Sequence, residues 1–98
     1  MFPVWLSMEF EWDRNKADSN FRRHGVRFEY ATRVFDDPFR IEREDHSEDY
    51  DEQRFQVIGM VESRLFFVVY TDRDDVIRII SARKATSHER RQYHEIST

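Results

Sequence analysis

The sequence predicts a single α+β domain in which a helix pair packs on a mainly antiparallel sheet. Three observations support this fold class. Apolar residues follow a helical spacing in the first third of the chain and a two-residue period after residue 38. The 98 residues suffice for one core, and only two glycines and two prolines leave little room for linkers. We expect the order β-α-α-β-β-β-β-α over residues 8–98, behind an N-terminal extension of residues 1–7.

Alternation and capping residues mark the first strand and the first helix. Residues 8–12 alternate between apolar and polar types, as in a strand with one buried face. Asp13 fits the N-cap of the following helix, because its carboxylate can accept from a free amide of the first turn. Gly25 fits the end of that helix, because glycine adopts a left-handed conformation without steric cost. The inward stripe of this helix is expected at Ala17, Phe21 and His24.

A second helix, four strands and a last helix are expected after Gly25. The second helix covers residues 28–35 and ends at an Asp-Asp-Pro run, since proline disfavours helix at the preceding residue. Its inward residues are expected to be Phe28, Ala31, Val34 and Phe35. The strands are expected over residues 39–43, 54–59, 64–71 and 76–82. Thr86 and Glu89 fit a capping box that opens the last helix, which runs through Ile96.

The distribution of charge points to an anionic ligand at the C-terminal end. The whole chain carries a net charge of −4, which taken alone disfavours nucleic acid. Residues 36–52 hold nine acidic and two basic side chains, whereas residues 76–94 hold five basic and one acidic. Fourteen of the sixteen basic residues are arginine, whose planar fork can grip a phosphate with two hydrogen bonds. Ordinary surface charge is the alternative explanation for the arginines.

The sequence lacks the residues that several kinds of functional site require. The chain has no cysteine, which excludes disulfides and thiolate sites. The acidic segment at residues 42–52 superficially resembles a calcium loop over residues 45–52, but Tyr50 stands where the sharp turn requires glycine. No glycine-rich phosphate loop or paired-zinc signature is present, so we expect no metal and no cofactor. No apolar run approaches the ~20 residues of a membrane span, and a cytoplasmic location is expected.

Candidate site residues concentrate in the last strand and helix. Strand alternation places Ile77 and Ile79 on one face and Arg78 on the other. Arg78 is a charge among β-branched residues, and an unpaired charge in such a place is costly. It therefore needs a carboxylate partner or an open cleft. Arg83 leaves the end of this strand. On the helix, Arg90 lies one turn from Tyr93 and from His94, which would put these three side chains on one side. Alternatively, the Tyr93 side of the helix is only its packing face.

Two residues of the first helix could likewise be either functional or structural. His24 could act as a general acid or base, since its ordinary pKa lies near neutral. The favoured interpretation is structural, as a charge near the C-terminal carbonyls of the helix. Lys16 could likewise reach a ligand, but a solvated lysine is the favoured interpretation.

Three segments resemble one known family in order and spacing. They are FEWDRNKADSNFRRHGVRFEYATRVFDDP at residues 10–38, RFQVIG at residues 54–59 and VVYTDRDDVIRIISARKATSHERRQY at residues 68–93. Together they resemble the BrnT toxins of type II toxin–antitoxin systems. The resemblance implies a RelE-like fold and an RNA-cleaving activity. It also implies a BrnA-like antitoxin with a ribbon-helix-helix part, a homodimer in the complex, and operator DNA bound only through the antitoxin.

The implied chemistry uses the 2′-hydroxyl of RNA as nucleophile and needs no metal. The protein must stabilise charge on the phosphoryl oxygens and move two protons. For catalysis we expect Arg78, Arg83 and Tyr93. For RNA binding we expect Lys84, Arg90, Arg91 and His94, with Tyr93 or His94 as proton carrier or stacking platform. Accessory residues are Lys16, His24 and Arg64.

The main alternative is a non-enzymatic interaction module. Its basic C-terminal face and its acidic loop would then simply bind protein partners. Direct DNA binding by the last helix is a weaker alternative, because that helix is short and the net charge is negative.

Overall fold

The computed structural model of this chain describes residues 8–47 and 51–97, and the side chains of all of these except residue 97. The expected extension at residues 1–7 and part of the acidic segment lie outside the described residues. The elements are β1 (Glu9–Trp12), α1 (Arg14–His24), α2 (Phe28–Ala31), a 3₁₀ helix (Thr32–Asp36), β2 (Ile41–Glu44), β3 (Phe55–Val61), β4 (Arg64–Arg73), β5 (Val76–Lys84) and α3 (Ser87–Ser97). The α+β class is confirmed.

The five strands form one mixed sheet in the order β1-β5-β4-β3-β2. Three of the four strand pairs are antiparallel, and β1 runs parallel to β5. The strand expected at residues 39–43 begins only at Ile41. Phe39 is 60% exposed, and the Asp37 carboxylate accepts from its backbone N–H at 2.9 Å, which holds this stretch in a turn.

One face of the sheet packs on α1, α2 and the 3₁₀ helix. The four inward residues predicted for the second helix are all buried: Phe28, Ala31, Val34 and Phe35. Gly59 lies so close to the 3₁₀ helix that a Cβ there would stand 2.8 Å from the Cβ of Val34. A side chain at residue 59 would therefore push the helix off the sheet.

The predicted inward stripe of α1 is confirmed at Ala17, which packs against the core, and is wrong at Phe21 and His24. Phe21 is 39% exposed and His24 is exposed, whereas the buried residue of this helix is Asn20. The Asn20 amide donates to the carbonyl of Ala82 at 2.8 Å and of Val26 at 3.2 Å, and its oxygen accepts from Ala82 N–H at 3.1 Å. Because β1 pairs with β5 only as far as Ile79, Asn20 bonds the β5 backbone as a neighbouring strand would.

The helix ends follow the predicted capping. Asp13 accepts from the Lys16 backbone N–H at 2.9 Å, and Gly25 ends α1 with φ of +70°. At α3, Thr86 N–H donates to Glu89 at 2.9 Å and Glu89 N–H donates to the Thr86 hydroxyl at 3.2 Å. The predicted capping box is thus confirmed.

An irregularity in β5 decides which side chains share a face. Ile79 pairs with Tyr70 and Ser81 pairs with Val69, so the intervening residue is a β-bulge. Arg78 and Arg83 are five residues apart and would lie on opposite faces of a regular strand. The bulge brings both onto the face that α3 covers, and it turns Lys84 toward the helix pair.

No helix in the described part of the chain is long and apolar enough to cross a membrane.

Candidate functional site

Arg78 lies on the part of the sheet face where β1 meets β5. Its parallel-strand neighbour is Glu11, whose carboxylate lies 3.6 Å from the guanidinium. The two side chains are 30% and 43% exposed, so both are reachable from solvent. Arg78 thus has the carboxylate partner that the sequence demanded, although the partner's identity was not evident from the sequence. Glu11 belongs to β1, and only the strand order of the sheet places it beside Arg78.

Arg83 is held by α3. Its two Nη atoms donate to the two carboxylate oxygens of Glu89 at 2.8 and 2.9 Å, and its guanidinium lies 4.1 Å from the centre of the Phe67 ring. Burial raises the pKa of Glu89, but hydrogen bonds from Arg83 and Thr86 outweigh this and hold the pKa below its ordinary value. Glu89 is therefore ionised at neutral pH, and the Arg83 fork is already occupied.

Tyr93 lies beneath α3, with 5% of its surface exposed. Its hydroxyl donates to Asp37 at 2.7 Å, and the same carboxylate oxygen accepts from Met60 N–H at 2.8 Å. Burial and the hydrogen bond to Asp37 raise the pKa of Tyr93 to about 12, so the phenol keeps its proton at neutral pH. Tyr93 therefore joins α3 to the turn after the 3₁₀ helix through its hydrogen bond to Asp37.

The outer side of α3 carries the other predicted cations. Arg90, Arg91 and His94 line an open depression of about 510 Å³ together with Ser87 and Glu95. Arg90 is anchored by hydrogen bonds to the Ala85 carbonyl at 3.2 Å and the Ser87 hydroxyl at 3.1 Å. Tyr93 is not among the lining residues, because it points to the core. The expected grouping is therefore confirmed in part: Arg90 and His94 share the depression and the His94 ring lies 5.4 Å from the Tyr93 ring, but the three do not form one open surface.

A second basic surface lies on the opposite face of the sheet. We call it the Arg27 cavity; its volume is about 230 Å³, and its side chains include Phe21, Arg27, Tyr30, Arg64, Phe66 and Lys84. The bulge explains why Lys84, and not Arg83, points to this face of the sheet. Arg64 was expected only as an accessory residue, and Arg27 was not predicted, because nothing in a three-residue interhelical connection marks it.

The aromatic rings hold the two arginines of the Arg27 cavity. The guanidinium of Arg27 lies 4.2 Å from the centre of the Phe21 ring. That of Arg64 lies 5.5 Å from the centres of Tyr30 and Phe66, and it donates to the Tyr30 hydroxyl at 3.0 Å. Among the described residues, no carboxylate lies within 4.0 Å of the charged groups of Arg27, Arg64 or Lys84.

The two remaining accessory residues lie on α1. Lys16 and His24 are both exposed, and neither lines the Arg27 cavity. His24 is the last residue of the helix, which agrees with its expected position near the C-terminal carbonyls. Within residues 8–47 and 51–97, no three His, Asp or Glu side chains cluster in a way that could hold a metal ion.

Comparison with known proteins identifies the family. Residues 12–89 match the family described as "Ribonuclease toxin, BrnT, of type II toxin-antitoxin system". Among the curated proteins, no relative matches this chain. The type II system named in that description implies an antitoxin partner. Because the matched residues make up well over half of the sequence, this chain belongs to the BrnT family of ribonuclease toxins.

Proposed function

We propose that this toxin is a metal-independent endoribonuclease whose cleavage site is the face of the sheet around Arg78 and Glu11. The observation that carries the proposal is the ion pair itself. A guanidinium and a carboxylate lie 3.6 Å apart on neighbouring strands, and both are open to solvent. One supplies positive charge and the other can accept a proton, which are the two functions that cleavage by a 2′-hydroxyl requires.

In the proposed reaction, Glu11 takes the proton of the 2′-hydroxyl as the 2′ oxygen attacks the adjacent phosphorus. The bond from phosphorus to the 5′ oxygen breaks, and the departing oxygen takes a proton from solvent. The products are a 2′,3′-cyclic phosphate and a free 5′-hydroxyl. Arg78 donates to the phosphoryl oxygens as their charge grows, and a single well-placed donor of this kind accounts for about 100-fold in rate.

The other predicted residues take supporting parts in this proposal. Arg83 lies on the same face, but it can reach a phosphate only by sharing its fork with Glu89, so its main part is to hold α3. Tyr93 positions α3 through Asp37. Arg90, Arg91 and His94 contact the RNA backbone along the outer side of α3.

The partner is proposed to be a BrnA-like antitoxin with a ribbon-helix-helix part. In the complex two copies of the toxin form a homodimer, and operator DNA is bound only through the antitoxin. The RelE-like fold that the resemblance implies stays a prediction.

The test is cleavage of a short RNA in the presence of EDTA. Wild-type protein is expected to release fragments that end in a 2′,3′-cyclic phosphate, and Glu11→Gln is expected to slow the reaction without lowering the melting temperature by more than a few degrees. Dependence on added Mg²⁺, or inert binding of RNA by the wild type, would contradict the proposal. Inert binding would instead favour the interaction module.

A further inference from the structure

We propose that the Arg27 cavity is a second RNA-binding site, which holds a backbone phosphate and a stacked base of a single strand. The inference rests on the proposed ribonuclease function only for the identity of the ligand. The cavity lies on the face of the sheet opposite Arg78, so it is a separate site and not an extension of the Arg78–Glu11 pair.

The charge of the cavity is the first argument. Most arginines on the other face are occupied by carboxylates, as Arg73 is by Glu52 at 2.8 Å and Arg83 is by Glu89. Arg27, Arg64 and Lys84 have no such partner among the described residues. Three cations around one cavity repel each other, and an anion relieves this repulsion. Because two of them are arginines, a phosphate with several free oxygens is the anion that fits their planar forks.

The rings of the cavity are the second argument. Phe21 is 39% exposed, although burying a phenylalanine ring is ordinarily favourable. Bases of single-stranded RNA commonly stack on exposed aromatic rings and on arginine planes. Phe21 and the guanidinium above it offer both surfaces at one place. Neither a free inorganic anion nor an aspartate-rich peptide carries a ring that could stack on the exposed part of Phe21 or on the guanidinium.

The size of the cavity is the third argument. Its volume of about 230 Å³ is below the roughly 300 Å³ at which pockets for whole small molecules begin. It therefore suits one unit of a longer ligand better than a complete cofactor. Arg83 and Lys84 are consecutive residues at the end of β5 and point to opposite faces of the sheet. A single strand of RNA can therefore contact both cations as it passes over this end of the sheet.

The experiment measures binding of a fluorescent 12-nucleotide RNA in which every 2′-hydroxyl is methylated. This RNA cannot be cleaved by 2′ attack, so binding is measured separately from catalysis. Each phosphate contact that is lost lowers the slope of log affinity against log salt by about 0.7. We expect that fall in slope for Arg27→Ala and for Lys84→Ala. Phe21→Ala should weaken binding about five-fold or more, and Phe21→Leu should weaken it less because it keeps an apolar surface.

Arg33→Ala is the matched control. Arg33 also lies near the Tyr30 ring, at 5.4 Å, but it is paired with Glu62 at 3.1 Å. We expect this variant to bind within two-fold of the wild type and with an unchanged salt slope. Wild-type affinity and slope in Arg27→Ala and Lys84→Ala would overturn the proposal. Binding of an aspartate-rich peptide, without binding of the oligonucleotide, would also overturn the proposal.

The two proposals fail separately. If the variants lose binding but the wild type never cleaves unmodified RNA, the RNA site stands and the proposed cleavage function falls. If the wild type cleaves RNA in EDTA and the cavity variants bind as well as it does, the cleavage function stands and this inference falls.

Discussion

Replacement of Asn20 by alanine tests how the helix pair is joined to the sheet. The side chain is 8% exposed and makes three hydrogen bonds, two to Ala82 and one to Val26. Alanine removes all three and leaves one buried N–H and two buried carbonyls without their partner. At about 1 kcal/mol for each hydrogen bond, the expected loss in unfolding free energy is about 3 kcal/mol. A domain of this size has only about 5–15 kcal/mol in total.

The assay is urea denaturation followed by circular dichroism. With a slope of about 2 kcal/mol per molar urea, the midpoint should fall by roughly 1.5 M. Asn15→Ala is the matched control, because Asn15 is exposed on the same helix and its loss should cost less than about 0.5 kcal/mol. Asn20→Asp should be at least as damaging as Asn20→Ala, since it places a carboxylate against two carbonyl oxygens. A loss below about 1 kcal/mol for Asn20→Ala would refute the role given to this residue.

Three further changes have definite expected outcomes. Tyr93→Phe removes a hydrogen bond to a buried carboxylate and should lower the unfolding free energy by about 2 kcal/mol, measured in urea. Gly59→Ala should cost roughly 2 kcal/mol, because the new Cβ meets Val34 at 2.8 Å; a melting temperature equal to the wild type would contradict this contact. The Glu89 pKa is lowered on folding, so its contribution is full above pH 4.5 and is lost as the pH falls through the lowered pKa. Glu89→Gln should therefore destabilise the protein more at pH 6 than at pH 3, and an equal difference at both would contradict the pairing with Arg83.

The sequence predicts most of the fold because its signals are local. Asp13, Gly25 and the capping box of Thr86 and Glu89 each act within one helical turn, and all were found as predicted. The error at α1 has a physical cause. A polar residue at an inward position looks exposed from the sequence, and only the unpaired backbone of β5 gives Asn20 its hydrogen-bond partners.

The candidate site was less predictable because it depends on long-range pairing. The partner of Arg78 comes from a strand 67 positions earlier, and the parallel pairing of β1 with β5 has no local signature. The bulge in β5 likewise cannot be read from the apolar run that contains it. It nevertheless decides that Arg83 points to the face of Arg78 and that Lys84 points to the helix pair.

Cleavage of RNA by Arg78→Ala in EDTA tests the central claim most directly. We expect kcat/KM to fall about 100-fold relative to the wild type, with 2′,3′-cyclic phosphate ends still detectable. Arg33→Ala, which removes an arginine paired with Glu62, should cleave at the wild-type rate. Full activity in a folded Arg78→Ala variant would contradict the assignment of the cleavage site to the Arg78–Glu11 pair.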